Sequence, residues 1–198
     1  MATFSTGTSG RASDWGSDFF GTLNEMPAEP VIEISHTLEA MSTLPAFRDA
    51  RNWVLRNLGI SQGSLIIEAG CGNAAALSDI LSAVGTKGRV FGIDPTKAFL
   101  ESACARAGQL GATNARFEIG DIRAIPAKDG EFDAAFCDKV LIHAGPPKAA
   151  VGEMVRVTRG GGGDPGGLGI AGRGGPTSRQ GGGGNAVKIL REDGGHPG

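Results

Sequence analysis

An acid and two glycines stand close together in the segment Glu68-Ala69-Gly70-Cys71-Gly72, at the end of a short apolar run. Glycines at these positions let the backbone turn sharply and let a ligand approach the main chain closely. A helix that begins after such a turn offers unpaired N–H groups and a positive partial charge, which suit a carboxylate or a phosphate. The Glu68 carboxylate would repel a pyrophosphate but can meet the ammonium group of an amino-acid ligand. The segment therefore predicts a ligand-binding turn.

Three further acids follow apolar runs later in the chain. Asp94 lies 24 residues after Gly70, where a carboxylate can accept hydrogen bonds from both hydroxyls of a ribose. Asp121, directly after Gly120, can accept from the exocyclic amine of an adenine. Asp138 ends the last of these runs. The set favours a ligand that joins an adenine nucleoside to an amino acid.

The same turn also satisfies the dinucleotide-binding pattern Gly-x-Gly-x-x-Ala, with Ala75 as its third member. An NAD(P)-dependent oxidoreductase therefore stays open as an alternative. Glu68 and Asp121 favour the first interpretation, because a pyrophosphate gains nothing from an acid beside the turn.

Strands and helices must alternate to bring these acids together. Short apolar runs predict strands over residues 64–68, 89–93, 115–119 and 132–137, and helical spacing predicts helices over residues 74–84, 96–107 and 146–157. Residues 34–58 predict one or two more helices, with a break at Pro45. This order predicts an α/β, Rossmann-like parallel sheet with flanking helices, whose strands present the acids at their carboxyl ends.

Five segments together resemble the class I S-adenosylmethionine-dependent methyltransferases, in the small-molecule branch that includes ubiquinone- and menaquinone-biosynthesis enzymes. They are Leu-Ile-Ile-Glu-Ala-Gly-Cys-Gly at 65–72, Val-Phe-Gly-Ile-Asp at 90–94, Gly-Asp-Ile at 120–122, Glu-Phe-Asp-Ala-Ala-Phe-Cys-Asp at 131–138 and Glu-Met-Val-Arg-Val-Thr-Arg at 153–159. The resemblance covers roughly residues 45–160. It implies S-adenosylmethionine as the cofactor and a small molecule with an O, N or C nucleophile as the methyl acceptor.

The resemblance also implies roles for single residues. Glu68, Gly70, Cys71 and Gly72 would hold the methionine end of the cofactor, Asp94 with Pro95 the ribose, Asp121 with Ile122 the adenine, and Asp138 the methyl-donor side. From its position after the fourth predicted strand, His143 is a candidate general base.

The chain changes character at Gly160. Seventeen of the last 39 residues are glycine, and the side-chain pattern beyond this point predicts no strand. We therefore expect a disordered or weakly ordered segment over 1–33, a cofactor-binding domain over 34–159 and a low-complexity tail over 160–198. The resemblance stops just before a fifth strand, which predicts a truncated sheet, a frameshift near codon 160 and self-association through an open sheet edge. A catalytically inactive cofactor-binding fragment is a second alternative function.

Composition limits the class of partner. A net charge of −2 gives no reason to expect nucleic acid or an anionic membrane as a partner, and the chain lacks an apolar stretch of membrane-spanning length. Three cysteines without framework spacing suit free thiols in the cytoplasm. The histidines and cysteines show no metal-ligand spacing, so no metal is expected.

Overall fold

The structure is a computed structural model that describes residues 4–5, 19–159, 167–172 and 185–188. Its strands are β1 (Phe4–Ser5), β2 (Leu65–Ala69), β3 (Arg89–Asp94), β4 (Ala115–Ile119), β5 (Ala134–Asp138), β6 (Gly167–Gly172) and β7 (Asn185–Lys188). A 3-10 helix (Phe19–Glu25) precedes the α-helices α1 (Ala28–Thr43), α2 (Pro45–Asn57), α3 (Leu77–Val84), α4 (Lys97–Gln109) and α5 (Pro147–Val157).

The seven strands form one sheet in the order β1-β4-β3-β2-β5-β6-β7. Every neighbouring pair is parallel except β6 and β7, which run antiparallel. The chain passes outward from β2 to β3 and β4, then returns to place β5 on the other side of β2. This reversal beside β2 is the switch point at which open α/β sheets bind ligands. The predicted Rossmann-like parallel sheet is therefore confirmed.

Alternate residues of the central strands fill two cores, because successive side chains of a strand point to opposite faces. Ile66 belongs to the core beneath α2, α3 and α4, where it packs with Leu77 and Leu100. Ile67 belongs to the opposite core, with Met154 of α5. Helices thus cover both faces of β2 and leave the carboxyl ends of the strands as the place for a site.

The predicted elements between residues 34 and 159 are confirmed to within a few residues. Leu44 has extended backbone between α1 and α2, so the predicted break at Pro45 separates two helices. The largest difference is the start of α3, which begins at Leu77 rather than 74 because Ala74 has φ +55° and cannot continue a helix.

The prediction that no strand follows residue 160 is wrong. β6 pairs in parallel with β5, from Ala134 opposite Gly167 to Asp138 opposite Ala171, and β7 pairs with β6. The sheet therefore does not stop at β5, and the edge expected to be open is paired. Sheet hydrogen bonds join main-chain groups, so glycine-rich segments can pair without the apolar alternation from which strands are predicted.

Residues 19–33, expected to be weakly ordered, contain the 3-10 helix and the first turns of α1. Leu23 and Val31 are buried and pack with Phe99 of α4. Helix α1 begins at Ala28, so the predicted domain limit at residue 34 falls inside it. Within residues 1–18, expected to be disordered, Phe4–Ser5 form β1 and pair with β4. The expectations for 1–3, 6–18 and most of 160–198 lie outside the described residues, and the domain limits stay a prediction.

Candidate active site

Four acids stand in a row at the carboxyl edge of the sheet. The strand order places Asp121 beyond β4, Asp94 at the end of β3, Glu68 in β2 and Asp138 at the end of β5. Neighbouring strands are about 4.8 Å apart, so the row has the span of a nucleoside joined to an amino acid. All four acids line one cavity of about 420 Å³. The sequence predicted this convergence from the strand ends alone.

The glycine-rich turn between β2 and α3 forms one wall of this cavity. Gly70 and Gly72 have φ of +76° and +53°, the left-handed region that glycine adopts without strain. A Cβ at Gly70 would lie 2.4 Å from Cγ2 of Val140, so only glycine fits there. The Gly70 and Cys71 N–H groups both donate to the carbonyl of Ile93, at 2.8 and 2.9 Å. The turn is thus fastened to β3.

Glu68 is the most perturbed acid of the row. It is 3% exposed, and among the described residues its Oε2 atom has no hydrogen-bond partner. Burial, and to a smaller extent the nearby Asp138, raises the pKa of Glu68 to about 8, while Arg51 opposes the shift. An orphaned buried acceptor costs free energy unless a ligand supplies a donor. An ammonium group is the donor that suits it.

Asp94 joins two loops of the site. Its Oδ2 accepts from the Gly72 N–H and its Oδ1 from the Thr96 N–H, both at 2.9 Å. Burial raises the pKa of Asp94 to about 6, although these hydrogen bonds oppose the shift. A carboxylate has acceptor capacity beyond two main-chain donors, so the predicted contact with ribose hydroxyls is compatible with this second, structural role.

The far end of the row carries an ion pair that the sequence did not predict. The guanidinium of Arg123 donates to Asp121, with Nη2 to Oδ2 at 2.8 Å, and Arg123 also lines the cavity. Ile122 lies between them and is buried in the α5-side core. In the sequence, Asp121 and Arg123 are two residues apart just after a predicted strand. An acid and a base at this spacing could have suggested an ion pair.

The opposite end, after β5, is cationic. Lys139 has φ +63°, a strained value for a residue with a side chain, and its Nζ lies 2.5 Å from Oδ2 of Asp138. Arg51 of α2 reaches the same carboxylate oxygen at 3.7 Å. Both cations pair with Asp138 and oppose the rise in the pKa of Glu68 that burial causes.

Arg51 is a residue that the sequence analysis missed. It is 2% exposed and donates to Asp79 of α3, with Nη2 to Oδ2 at 2.6 Å, and to the carbonyl of Ser42 at the end of α1. Its signal was its place on the buried face of α2, three and four residues before Val54 and Leu55. A buried arginine at such a position needs anionic partners.

His143, the candidate base, lines the same cavity on the loop after β5. Its ring contacts that of Phe20 edge-on, with centroids 4.6 Å apart. Pro95, also predicted as a site residue, lies in the cavity wall beside Asp94. The structure thus brings all the predicted site residues to one cavity; their roles stay predictions.

The 3-10 helix and α1 line this cavity and are hydrogen-bonded to the loops that surround it. The Asn24 side chain donates to the Pro95 carbonyl at 2.8 Å and accepts from the Lys97 N–H at 2.9 Å. The buried Asn73 side chain, in the glycine-rich turn, donates to the carbonyl of Ser35 at 2.9 Å. The cover is therefore attached at both the ribose and the methionine ends of the predicted site.

Residues 60–163, just over half of the chain, match the family described as Methyltransferase domain, Methyltransf_31. The chain belongs to this methyltransferase family, and its fold is that of a class I methyltransferase. S-adenosylmethionine is the cofactor that this membership implies. The orphaned Glu68 acceptor and the glycine cradle fit that cofactor.

Known relatives share the same region. The chain is 36% identical over 130 residues to a 37.1 kDa protein in transposon TN4556 of Streptomyces fradiae, covering 66% of this chain and 37% of that protein. It is 26% identical over 132 residues to the demethylmenaquinone methyltransferase of Geobacillus stearothermophilus, covering 65% of this chain and 56% of that enzyme. The chain spans about half the length of most of the curated relatives it matches.

The fold is shared with solved structures. A S-adenosylmethionine-dependent methyltransferase of Aquifex aeolicus superposes with a TM-score of 0.59 at 20% identity, covering 74% of this chain and 73% of that one. Within the described residues, no helix has the length and apolar character to cross a membrane. The same residues include no cluster of His, Cys, Asp and Glu that could hold a metal ion.

Proposed function

We propose that the protein transfers the methyl group of S-adenosylmethionine to an O, N or C nucleophile of a small molecule. The observation that carries the proposal is the row of four acids in one cavity, with a buried, orphaned carboxylate oxygen at the glycine-rich turn. Bound there, the cofactor supplies an activated sulfonium methyl. The chain's own task is then to position two reactants and exclude water.

Each residue of the row has a proposed part in this positioning. Glu68 binds the ammonium of the methionine moiety, Asp94 orients the ribose and the end of β4 holds the base. Asp138, held by Lys139 and Arg51, is proposed to line the methyl-donor side of the cavity.

The acceptor that this cavity suits is largely apolar. Beyond the acids, the lining toward the N-terminal helices and the loop after β5 includes the apolar side chains of Phe20, Leu38, Met41, Val140 and Ile142, with Ser42 and Lys139 as polar members. Apolar walls with a few polar groups are typical of sites for small organic molecules. His143 stands among these residues and is proposed as the base for an acceptor with an acidic O–H or N–H.

The proposal is tested by incubating the purified protein with methyl-labelled S-adenosylmethionine and a panel of phenols, quinols and aromatic amines. Label in an extracted product is expected, and His143→Gln is expected to lower kcat for acceptors with an acidic proton. Binding of S-adenosylhomocysteine without labelled product from any acceptor would favour the inactive fragment. Binding of NAD in its place would favour the oxidoreductase.

The cytoplasm is the compartment we propose. Cys71, Cys104 and Cys137 are all free thiols, and Cys71 and Cys137 are buried. Burial raises the pKa of the Cys137 thiol to about 12, which keeps it protonated and unreactive. Reducing conditions suit such thiols.

A further inference from the structure

Arg51 of α2 is a buried cation beside the cavity, although it is not part of the cavity lining. Its Nε and Nη2 both donate to Oδ2 of Asp79, at 2.9 and 2.6 Å, and Nη2 also donates to the Ser42 carbonyl at 3.4 Å. Its Nη1 lies 3.7 Å from Oδ2 of Asp138. A guanidinium is costly to remove from water, so a buried one needs anionic partners. One of these partners, Asp138, belongs to the cavity and the other, Asp79, does not.

The two cavity acids nearest to Arg51 lie on one face of the sheet. Glu68 of β2 is opposite Phe136 of β5, so Asp138 comes two residues further along on the face that Glu68 occupies. Phe136 packs in the core beneath α2 and α3, the helices that carry Arg51 and Asp79. The guanidinium thus connects Asp79 with the neighbouring acids Asp138 and Glu68.

Several charged or titratable groups, from each element packed against it, act on Glu68. Burial, with smaller contributions from Asp138 and Asp94, raises the pKa of Glu68 to about 8, and two cations oppose this shift. Arg51 has the larger opposing effect and Lys139 the smaller. Burial raises the pKa of both nearby thiols, which are therefore neutral at pH 7. The groups are Arg51 of α2, Cys137 and Asp138 of β5, Lys139 of the loop after β5, Asp94 of β3 and Cys71 of the glycine-rich turn.

We propose that Arg51 is a positioning residue for the cofactor site: held by Asp79, it keeps Asp138 paired and stabilises Glu68 as a carboxylate when the ammonium group of the cofactor binds. Arg51 acts through the two acids and does not itself contact the cofactor. The inference rests on the proposed function. It makes Asp79, which lies outside the cavity, a determinant of the pH range in which the cofactor binds.

The test uses two substitutions that break the same ion pair from opposite sides. The Kd of S-adenosylhomocysteine is measured by isothermal titration calorimetry between pH 6.5 and 8.5. Arg51→Gln removes the cation, so Glu68 loses its proton less readily, and affinity at pH 7 is expected to fall about tenfold.

Asp79→Asn acts in the opposite direction. It removes the anion that neutralises Arg51 but keeps an acceptor oxygen for the guanidinium. The cation then acts more strongly on Glu68, and binding at pH 7 is expected to become about fivefold tighter. Both differences from the parent should become smaller toward pH 8.5, since Glu68 is then largely ionised in the parent as well.

A purely structural role of the ion pair predicts a different result, because both variants lose the pair. Weaker binding by both variants, or ratios of variant to parent Kd that do not change with pH, would overturn the inference. The amino group of the ligand titrates alike in every experiment, so its effect cancels in these ratios.

The same two substitutions in a Glu68→Gln background identify the group through which Arg51 acts. The opposite effects are expected to vanish there, because no acid titrates at position 68. If they persist, Arg51 acts through another group and the inference fails. A parent protein that binds no S-adenosylhomocysteine would instead refute the proposed function, so the two failures are distinguishable.

Arg106→Gln is the matched control. Arg106 also joins a helix to the site, since it pairs with Glu39 at 2.6 Å and donates to the Asn73 carbonyl at 3.0 Å, but it is not among the charges that shift the pKa of Glu68. Any loss of affinity in this variant is expected to be the same at each pH. Ligand-free melting curves show which variants fold. Should Arg51→Gln fail to fold, Asp79→Asn decides, and parental or weaker affinity at pH 7 contradicts the inference.

Discussion

At the scale of single residues, Glu68 is unusual because its side chain is ionisable, buried and lacks one hydrogen-bond partner. Its Oε2 lies in the interior without a partner among the residues described, and its pKa is raised to about 8. A buried acid of this kind lowers the free energy of unfolding at neutral pH. Such groups are found mainly at functional sites, where binding of a ligand compensates for the cost. The ligand-free protein therefore gives up stability at the position where the cofactor is proposed to bind.

This has a pH dependence with a definite sign. Between the ordinary pKa of 4.5 and the folded value of about 8, the folded chain keeps a proton on Glu68 that the unfolded chain has lost. Stability from this site is present below pH 4.5 and is lost as the pH rises through 8, at about 1.4 kcal/mol per pH unit at most. Glu68→Gln removes the titration, so we expect its melting temperature relative to the parent to be higher at pH 8.5 than at pH 5.5.

Glu153→Gln is the control for that melting experiment. A hydrogen bond from Arg156 lowers the pKa of Glu153, so the same substitution there is expected to destabilise the protein at neutral pH. A melting difference between Glu68→Gln and the parent that does not change with pH would contradict the assignment of Glu68 as a buried, mostly protonated acid.

Gly70 and Gly72 form a second matched pair at this scale. Both have positive φ, but an added Cβ meets Val140 at 2.4 Å at Gly70 and nothing within 4 Å at Gly72. Gly70→Ala is therefore expected to cost about 1–3 kcal/mol more than Gly72→Ala in urea unfolding, the usual range for overpacking. Adding Val140→Ala should recover part of that difference. Equal costs for the two alanine variants would show that Gly70 is not in close contact with the β5 loop.

At the scale of elements, the sequence predicted those features of the fold that depend on the local pattern of apolar and polar residues. The ends of β2, β3 and β4 could be placed because apolar runs stop at an acid or a glycine, and parallel topology then brings those ends to one edge. The contacts of Arg51 could not be placed, since they join α2 to three other elements, α3, the end of α1 and β5, whose relative positions only the tertiary fold determines. Strands β6 and β7 were missed because main-chain pairing leaves little trace in side-chain pattern.

The 3-10 helix over the site is the element whose attachment can be tested separately. Asn24→Ala removes both bonds to the loop after Asp94, the contacts with Pro95 and Lys97. We expect amide hydrogen exchange at Leu23 to become about tenfold faster or more, since each lost bond is worth about 0.5–1.5 kcal/mol. Dissociation of S-adenosylhomocysteine should become faster as well.

Asn57→Ala supplies the comparison. Asn57 is also exposed and also makes a side-chain bond to the main chain, at 2.7 Å to the Trp53 carbonyl, but it lies on α2 and is not part of the cavity lining. Its variant should exchange and release ligand as the parent does. Unchanged exchange at Leu23 in Asn24→Ala would mean that packing of Leu23 and Val31 on Phe99 holds the cover without these bonds.

At the scale of the whole molecule, a parallel sheet with a switch point beside β2 gathers side chains from four strand ends into one cavity. The N-terminal helices contribute Phe20, Leu38 and Met41 to the apolar lining of that cavity. The charge pattern runs from the Asp121–Arg123 pair through two buried acids to the Asp138–Lys139 pair. The cavity therefore has a different polar group at each end and two acids between them. This arrangement suits an elongated ligand with an aromatic end and a zwitterionic end.

The most direct measurement is the number of protons exchanged when S-adenosylhomocysteine binds at pH 7, obtained by titration calorimetry in buffers of different ionisation enthalpy. Free Glu68, with a pKa of about 8, carries a proton at this pH and must lose it to meet an ammonium group. We predict tight binding with release of about one proton by the parent, and release near zero with weaker binding by Glu68→Gln. Binding without proton release, or NAD binding in place of S-adenosylhomocysteine, would contradict the account of this site.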